Sequence, residues 1–179
     1  SKYADLAAWS DSQSNTLAHD PRKVNVLDVT LISASGLLAM DTNLFTKNSS
    51  DPLARLSCAG QKFASTVKKQ RLDPYWNETF RFPLLDSSRD EILEIQVEDY
   101  DLLSGNDFMG KCRVALKYLQ KRERLKVPLG DRSGVKDAKE RGEVELEVTL
   151  GYDPQYDYFP AEPRDRGEPN LLMIGVTRG

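Results

Sequence analysis

The sequence predicts an all-β protein, an antiparallel β-sandwich of about eight strands. Three observations carry this. Apolar and polar residues alternate along nearly every ordered stretch, most clearly where Val144, Leu146, Val148 and Leu150 are interleaved with Glu145, Glu147 and Thr149. A period of two marks a strand with one buried face and one wet face. The connections are short and carry Gly, Ser, Asn, Asp and Pro, the residues that turns require. Hardly any stretch reads as helix.

Taken in order, residues 1–23 form a polar leader with little periodicity. Leu27, Val29 and Leu31 make the first strand, which ends at Ser35 and Gly36. A loop from Leu37 to Ser50 closes on Asp51 and Pro52; proline restricts the residue before it to extended backbone, so Asp51 is held at the loop edge. Ala54, Leu56 and Cys58 then face one way, and Arg55 and Ser57 the other. Residues 61–69 read as a basic strand, Leu72 to Glu78 as an irregular bend, and Phe80 to Leu84 as another strand. Strands follow at Leu93–Val97, Cys112–Leu116 and Leu125–Leu129, with a helical turn within residues 117–124 and a solvated loop from Gly130 to Gly142. The domain expected is 24–152, followed by a proline-bearing linker over 153–170. Residues 171–179 are apolar and strand-like, and are either an added strand or tail of this domain or the first strand of a following one.

Composition narrows the function. The 179 residues carry a net charge of −3, which speaks against a nucleic-acid partner. Cys58 and Cys112 lie in strand-like segments with no zinc spacing, and read as buried reduced thiols of a cytoplasmic protein. No run is long enough to cross a bilayer, and Leu6 to Trp9 is too short for the apolar core of a signal peptide. An enzyme is not expected: the single histidine, His19, lies in the leader, and no nucleophile elbow or phosphate loop is visible.

The stretch from Glu98 to Gly110 stands apart. Asp99, Asp101 and Asp107 lie within nine residues, on a loop between two strands. Crowded carboxylates repel one another, and a hard divalent cation with oxygen ligands relieves that repulsion. Calcium best accepts such irregular shells.

These segments carry a resemblance. Leu27 to Leu37, Met40-Asp41, Ser50-Asp51-Pro52, Asp73 to Phe82 (with the run Trp76-Asn77-Glu78-Thr79-Phe80-Arg81-Phe82) and Asp99 to Gly110 are similar to the C2 domains of conventional protein kinases C. The match is to that module, with no kinase segment. It implies the family's sandwich, with calcium held by Asp41, Asp51, Asp99, Asp101 and Asp107 and by the backbone carbonyls of Met40 and Tyr100. Because the Leu27–Leu31 strand comes first and Val144–Leu150 closes the domain, the strand order expected is the family's second circular permutation. The first loop is longer than usual, and the basic stretch matches with shifted spacing. Lys62, Lys68, Lys69 and Arg71 are its candidates for a phosphoinositide headgroup. Leu44 and Phe45 at one loop tip, with Leu102 and Leu103 at the other, are candidates for membrane contact. The function expected is calcium-dependent binding of anionic phospholipid membranes, which brings a larger protein to the membrane surface. The alternative is a calcium-independent C2 domain that binds a protein partner or serves a structural role; an adjacent C2 domain or another protein is also a candidate partner.

Overall fold

The computed structural model describes residues 24–39, 49–84, 90–103 and 105–156. Within them lie eight strands: β1 Val26–Ser35, β2 Pro52–Cys58, β3 Gln61–Ala64, β4 Tyr75–Pro83, β5 Ile92–Asp99, β6 Asp107–Ala115, β7 Arg122–Pro128 and β8 Glu143–Gly151. Two four-stranded antiparallel sheets result, ordered β4-β1-β8-β7 and β3-β2-β5-β6. The closing strand β8 fills the place between β1 and β7, which is the second circular permutation expected. The first residues of the expected linker are ordered against the domain, with Asp153 bonded to Asn25 and a 3-10 turn over Pro154–Tyr156. The rest of the linker and the terminal strand lie outside the described residues.

Alternation builds the core. Leu27, Val29 and Leu31 of β1, Leu146, Val148 and Leu150 of β8, Leu56 of β2 and Leu93, Ile95 and Val97 of β5 all point between the sheets and are buried. Burying one such side chain is worth about 1.5–3 kcal/mol. The thiols of Cys58 and Cys112 are buried and unpaired, and burial pushes each up to about 12, with the charge of Glu91 adding to the effect at Cys58.

Both sides of the sandwich are closed by local contacts. At one, Phe63 of β3 meets Phe80 and Phe82 of β4 at ring separations of 5.8 and 5.0 Å. At the other, Gly130 exchanges two backbone hydrogen bonds with Lys111 of β6, at 2.8 and 3.1 Å. The stretch expected to be a merely solvated loop is therefore anchored to an edge strand. Arg141 donates to the carbonyl of Met109, and Gly134 lies against the stem of Arg113. At Gly142 (φ +83°) a Cβ would come within 2.2 Å of the Ser35 carbonyl, so this close crossing requires glycine.

Two further differences concern local structure. The basic strand is shorter than expected, because β3 ends at Ala64. From Ser65 onward the backbone bonds to β2 thin to those from Ser65 to Ala54 and Lys68 to Pro52. Side chains add to them: Ser65 Oγ accepts the Ala54 amide, Trp76 Nε1 donates to the Thr66 carbonyl, and Glu78 accepts the Thr66 amide. The bend at Leu72 is also shorter, since β4 already starts at Tyr75.

The antiparallel course sets two poles. The β1–β2, β3–β4, β5–β6 and β7–β8 connections share one pole, while the start of β1 and the end of β8 share the other.

Candidate functional site

Three neighbouring strand ends bring the acidic residues together. Pro52, which opens β2, pairs with Asp99, which ends β5, and Asp99 pairs with Asp107, which opens β6. Asp51, Asp99 and Asp107 therefore stand side by side at the loop pole.

Asp51 is the hub. Pro52 keeps it extended. Its amide donates to Asp99 Oδ1 at 2.7 Å, its carbonyl accepts the Tyr100 amide at 3.0 Å, and its own Oδ1 accepts the Gln70 amide at 2.8 Å. One residue thus ties the ends of three loops. Gln70 can present its amide because its backbone is left-handed, with φ +55°. The turn around it is laced down by backbone bonds from Lys68 to Pro52 and from Arg71 to Ser50, at 3.0 and 2.9 Å.

The third loop shapes itself. Asp101 Oδ1 accepts the Leu103 amide at 2.8 Å, an Asx-type turn. That turn points Leu102 and Leu103 outward, 79% and 94% exposed. Asp101 and Asp107 are exposed, while Asp99 is buried at 6%. Met40, Asp41, Leu44 and Phe45 lie outside the described residues.

Sequence reading missed Glu98. Only 9% exposed, it accepts from Arg55 Nε at 2.9 Å, Asn106 Nδ2 at 2.8 Å and Gln96 Nε2 at 2.7 Å. Burial pushes its carboxyl up, but the hydrogen bonds from Asn106, Arg55 and Gln96 outweigh that and leave it below the usual range. A bulge contributes: Val97 pairs with Gly110 but Glu98 with Phe108, so Met109 is the extra residue. Bulges re-aim side chains beside functional loops. The outward phase of Glu98 was visible in the sequence, but its partner Arg55 lies 43 residues away and is found only through cross-strand register.

The basic candidates divide into two places. Lys62 lines a groove on the outer face of the second sheet with Arg55, Ser57, Gln96 and Lys111. Glu94 in the same groove pairs with Lys111 at 2.8 Å and Arg113 at 3.0 Å. Lys68, Lys69 and Arg71 instead surround a separate depression with Asp73 and Tyr75, next to the Gln70 turn.

The donor set at the pole is carboxylate and backbone carbonyl oxygen, which suits a hard cation. Among the described residues, however, no three His, Cys, Asp or Glu side chains converge on a point where an ion could sit. In the described part, carboxylate oxygens of Asp51, Asp99 and Asp101 turn to backbone amides.

The sequence model of the C2 domain family matches residues 25–129. The chain belongs to the C2 domain family. It is 38% identical over 117 residues to the eye isozyme of protein kinase C from Drosophila melanogaster, covering 63% of this chain and 16% of that protein. To synaptotagmin-3 of Arabidopsis thaliana it is 33% identical over 142 residues, 74% of this chain and 25% of that one. The C2 domain thus spans a quarter or less of these relatives. Among solved structures, a single C2 domain of plant extended synaptotagmin 1 is similar at TM-score 0.63 and 25% identity, over 74% of this chain and 98% of that one. The calcium-bound pair of C2 domains of extended synaptotagmin 2 is similar at TM-score 0.62 and 27% identity, over 73% and 47%. No helix among the described residues of this C2 domain is long and apolar enough to cross a membrane.

Proposed function

We propose that this C2 domain binds anionic phospholipid membranes in response to calcium and so carries a larger protein to the membrane surface. One observation supports the reading above the others: strand ends that place Asp51, Asp99 and Asp107 side by side lie next to a turn that exposes Leu102 and Leu103. Apolar side chains beside a cluster of negative charge make sense if a cation changes the sign of the local field and lipid then covers them.

In this reading Asp41, Asp51, Asp99, Asp101 and Asp107 hold calcium, together with the carbonyls of Met40 and Tyr100. The ion supplies positive charge for lipid phosphate and carboxylate groups. Leu44, Phe45, Leu102 and Leu103 enter the interfacial layer. Lys68, Lys69 and Arg71, beside the Gln70 turn, add attraction for anionic headgroups, and Lys62 offers a second contact in the sheet groove. Recruitment is peripheral and reversible.

The test is co-sedimentation with vesicles of phosphatidylserine and phosphatidylcholine, in calcium and in chelator. Binding in calcium alone is the expected result. Equal binding in chelator, or none in either, would sink the calcium reading. The second would favour a protein-binding C2 domain.

A further inference from the structure

We propose that Glu98 is a positioning residue that, through Asn106, holds the third loop closed across its neck and so sets calcium affinity without touching the ion. The inference rests on the calcium reading above and names a residue that reading does not use.

A carboxylate this deeply buried is rare unless paired, and Glu98 has three side-chain donors. Oε2 accepts from Arg55 and Asn106, and Oε1 from Gln96, so both oxygens are committed to protein groups. Asn106 is the informative partner. It lies in the chain between Asp101 and Asp107, immediately before the second. Its amide nitrogen donates to Glu98 at 2.8 Å, while its carbonyl oxygen accepts the Asp101 amide at 3.3 Å. One side chain therefore bridges the end of β5, the start of the loop and the start of β6.

The sheet beneath does not need this bridge, because β5 and β6 already pair from Asp99–Asp107 to Ile92–Ala115. What the bridge fixes is the separation of the two exposed ligands, Asp101 and Asp107. The bulge at Met109 brings the two elements within reach by setting Phe108, two residues after Asn106, opposite Glu98. Arg55 and Gln96 then hold Glu98 from the groove side. Ligands already held in place lose less freedom when an ion binds, which is the advantage of a preorganised shell.

The test uses the full chain, calorimetric calcium titration without lipid, and amide hydrogen exchange in chelator. Asn106→Ala removes no charge, so any weakening cannot come from lost attraction for the ion. It should raise the calcium Kd about 5- to 30-fold, the effect of one or two hydrogen bonds. It should also speed exchange across residues 101–106. Asn106→Asp sets a carboxylate against Glu98 and should also weaken binding. Combining it with Glu98→Gln removes the like-charge contact at unchanged total charge and should return part of the lost affinity, but not all of it. The Glu98 oxygen that faces Asn106 also accepts from Arg55, and an amide nitrogen there cannot. A wild-type Kd in Asn106→Ala, or a double variant no better than Asn106→Asp alone, overturns the proposal. A wild-type protein that binds no calcium overturns the function on which it rests; unchanged exchange in Asn106→Ala would then separately show that no bridge holds the loop.

Discussion

The amide of Asp51 donates to the carboxylate of Asp99 across 2.7 Å. The bond joins the exit of the first loop to the entrance of the third, two acidic residues 48 positions apart. It draws the carboxylate of one candidate ligand toward the backbone of another, and so limits how far either can move before a cation arrives.

Calcium should stabilise the fold. An ion that binds only the native state adds RT ln(1 + [L]/Kd), about 2.7 kcal/mol at a hundredfold excess over Kd. Millimolar calcium should raise the melting temperature by several degrees over chelator, and magnesium, which demands a small octahedral shell, by less. Identical melting curves in calcium and chelator would count against the site.

Gln70 offers a backbone test of Asp51. Its side chain is exposed and its φ is +55°, a conformation that costs a residue with a Cβ roughly 1–2 kcal/mol. Gln70→Gly should therefore leave stability and calcium affinity unchanged or improved. Gln70→Val, branched at Cβ, should lower both, by about 1 kcal/mol or more in denaturant unfolding. Equal behaviour of the two variants would show that the Gln70 amide does not orient Asp51.

Charge at the loops should rank by position. Asp101→Asn should abolish calcium-dependent vesicle binding through the lost charge alone, since the asparagine oxygen can still accept the Leu103 amide and keep the turn. Asp41→Asn, in the longer first loop, should weaken it less. Leu103→Ala should speed release from vesicles in stopped flow without changing calcium binding in solution. The reverse ranking of the aspartates would move the main ligand to the first loop.

The groove carboxylate Glu94 should give the fold an acid limb. The hydrogen bond from Lys111 holds it below the usual carboxylate range; burial opposes this, and the charges of Lys111 and Arg113 assist. A folded value depressed below the unfolded one adds stability above the unfolded value, and that stability is lost as pH falls through the folded value. Glu94→Gln should flatten unfolding stability between about pH 5 and the folded value below it, with little effect at pH 7 beyond a constant offset. An unchanged slope would mean that Lys111 and Arg113 stabilise the protonated side chain equally.

Much of the sandwich was legible because burial acts residue by residue along a strand. Leu93, Ile95 and Val97 alternate with Glu94, Gln96 and Glu98, and the fold obeys that phase. Asp99, Asp101 and Asp107 were legible because they crowd one loop. What the sequence left hidden depends on pairing across the sheet. Phe63 and Val67 suggest a strand to residue 69, but after Ala64 only Ser65 and Lys68 still bond β2 through their backbone, and the side chains of Ser65 and Trp76 satisfy groups around them. Four basic residues in one stretch look like a single patch, yet that early ending leaves Lys62 in the sheet groove and sets Lys68, Lys69 and Arg71 beside the Asp51 turn. Glu98 looks like an ordinary wet-face residue until register sets Arg55 and Asn106 against it.

At the pole opposite the loops, Asn25 and Asp153 exchange two hydrogen bonds, side-chain amide to carbonyl at 2.9 Å and backbone amide to side-chain oxygen at 2.7 Å, and Arg81 binds the Asp153 carboxylate at 2.9 Å. Because β1 and β8 are antiparallel neighbours that enter and leave there, tension between the two flanking segments would meet this clasp first. Beyond it, the β1–β8 rungs would be loaded one after another, as in a zipper opened from its end, and the rung at Ser35–Glu143, nearest the loops, would be the last to feel the pull.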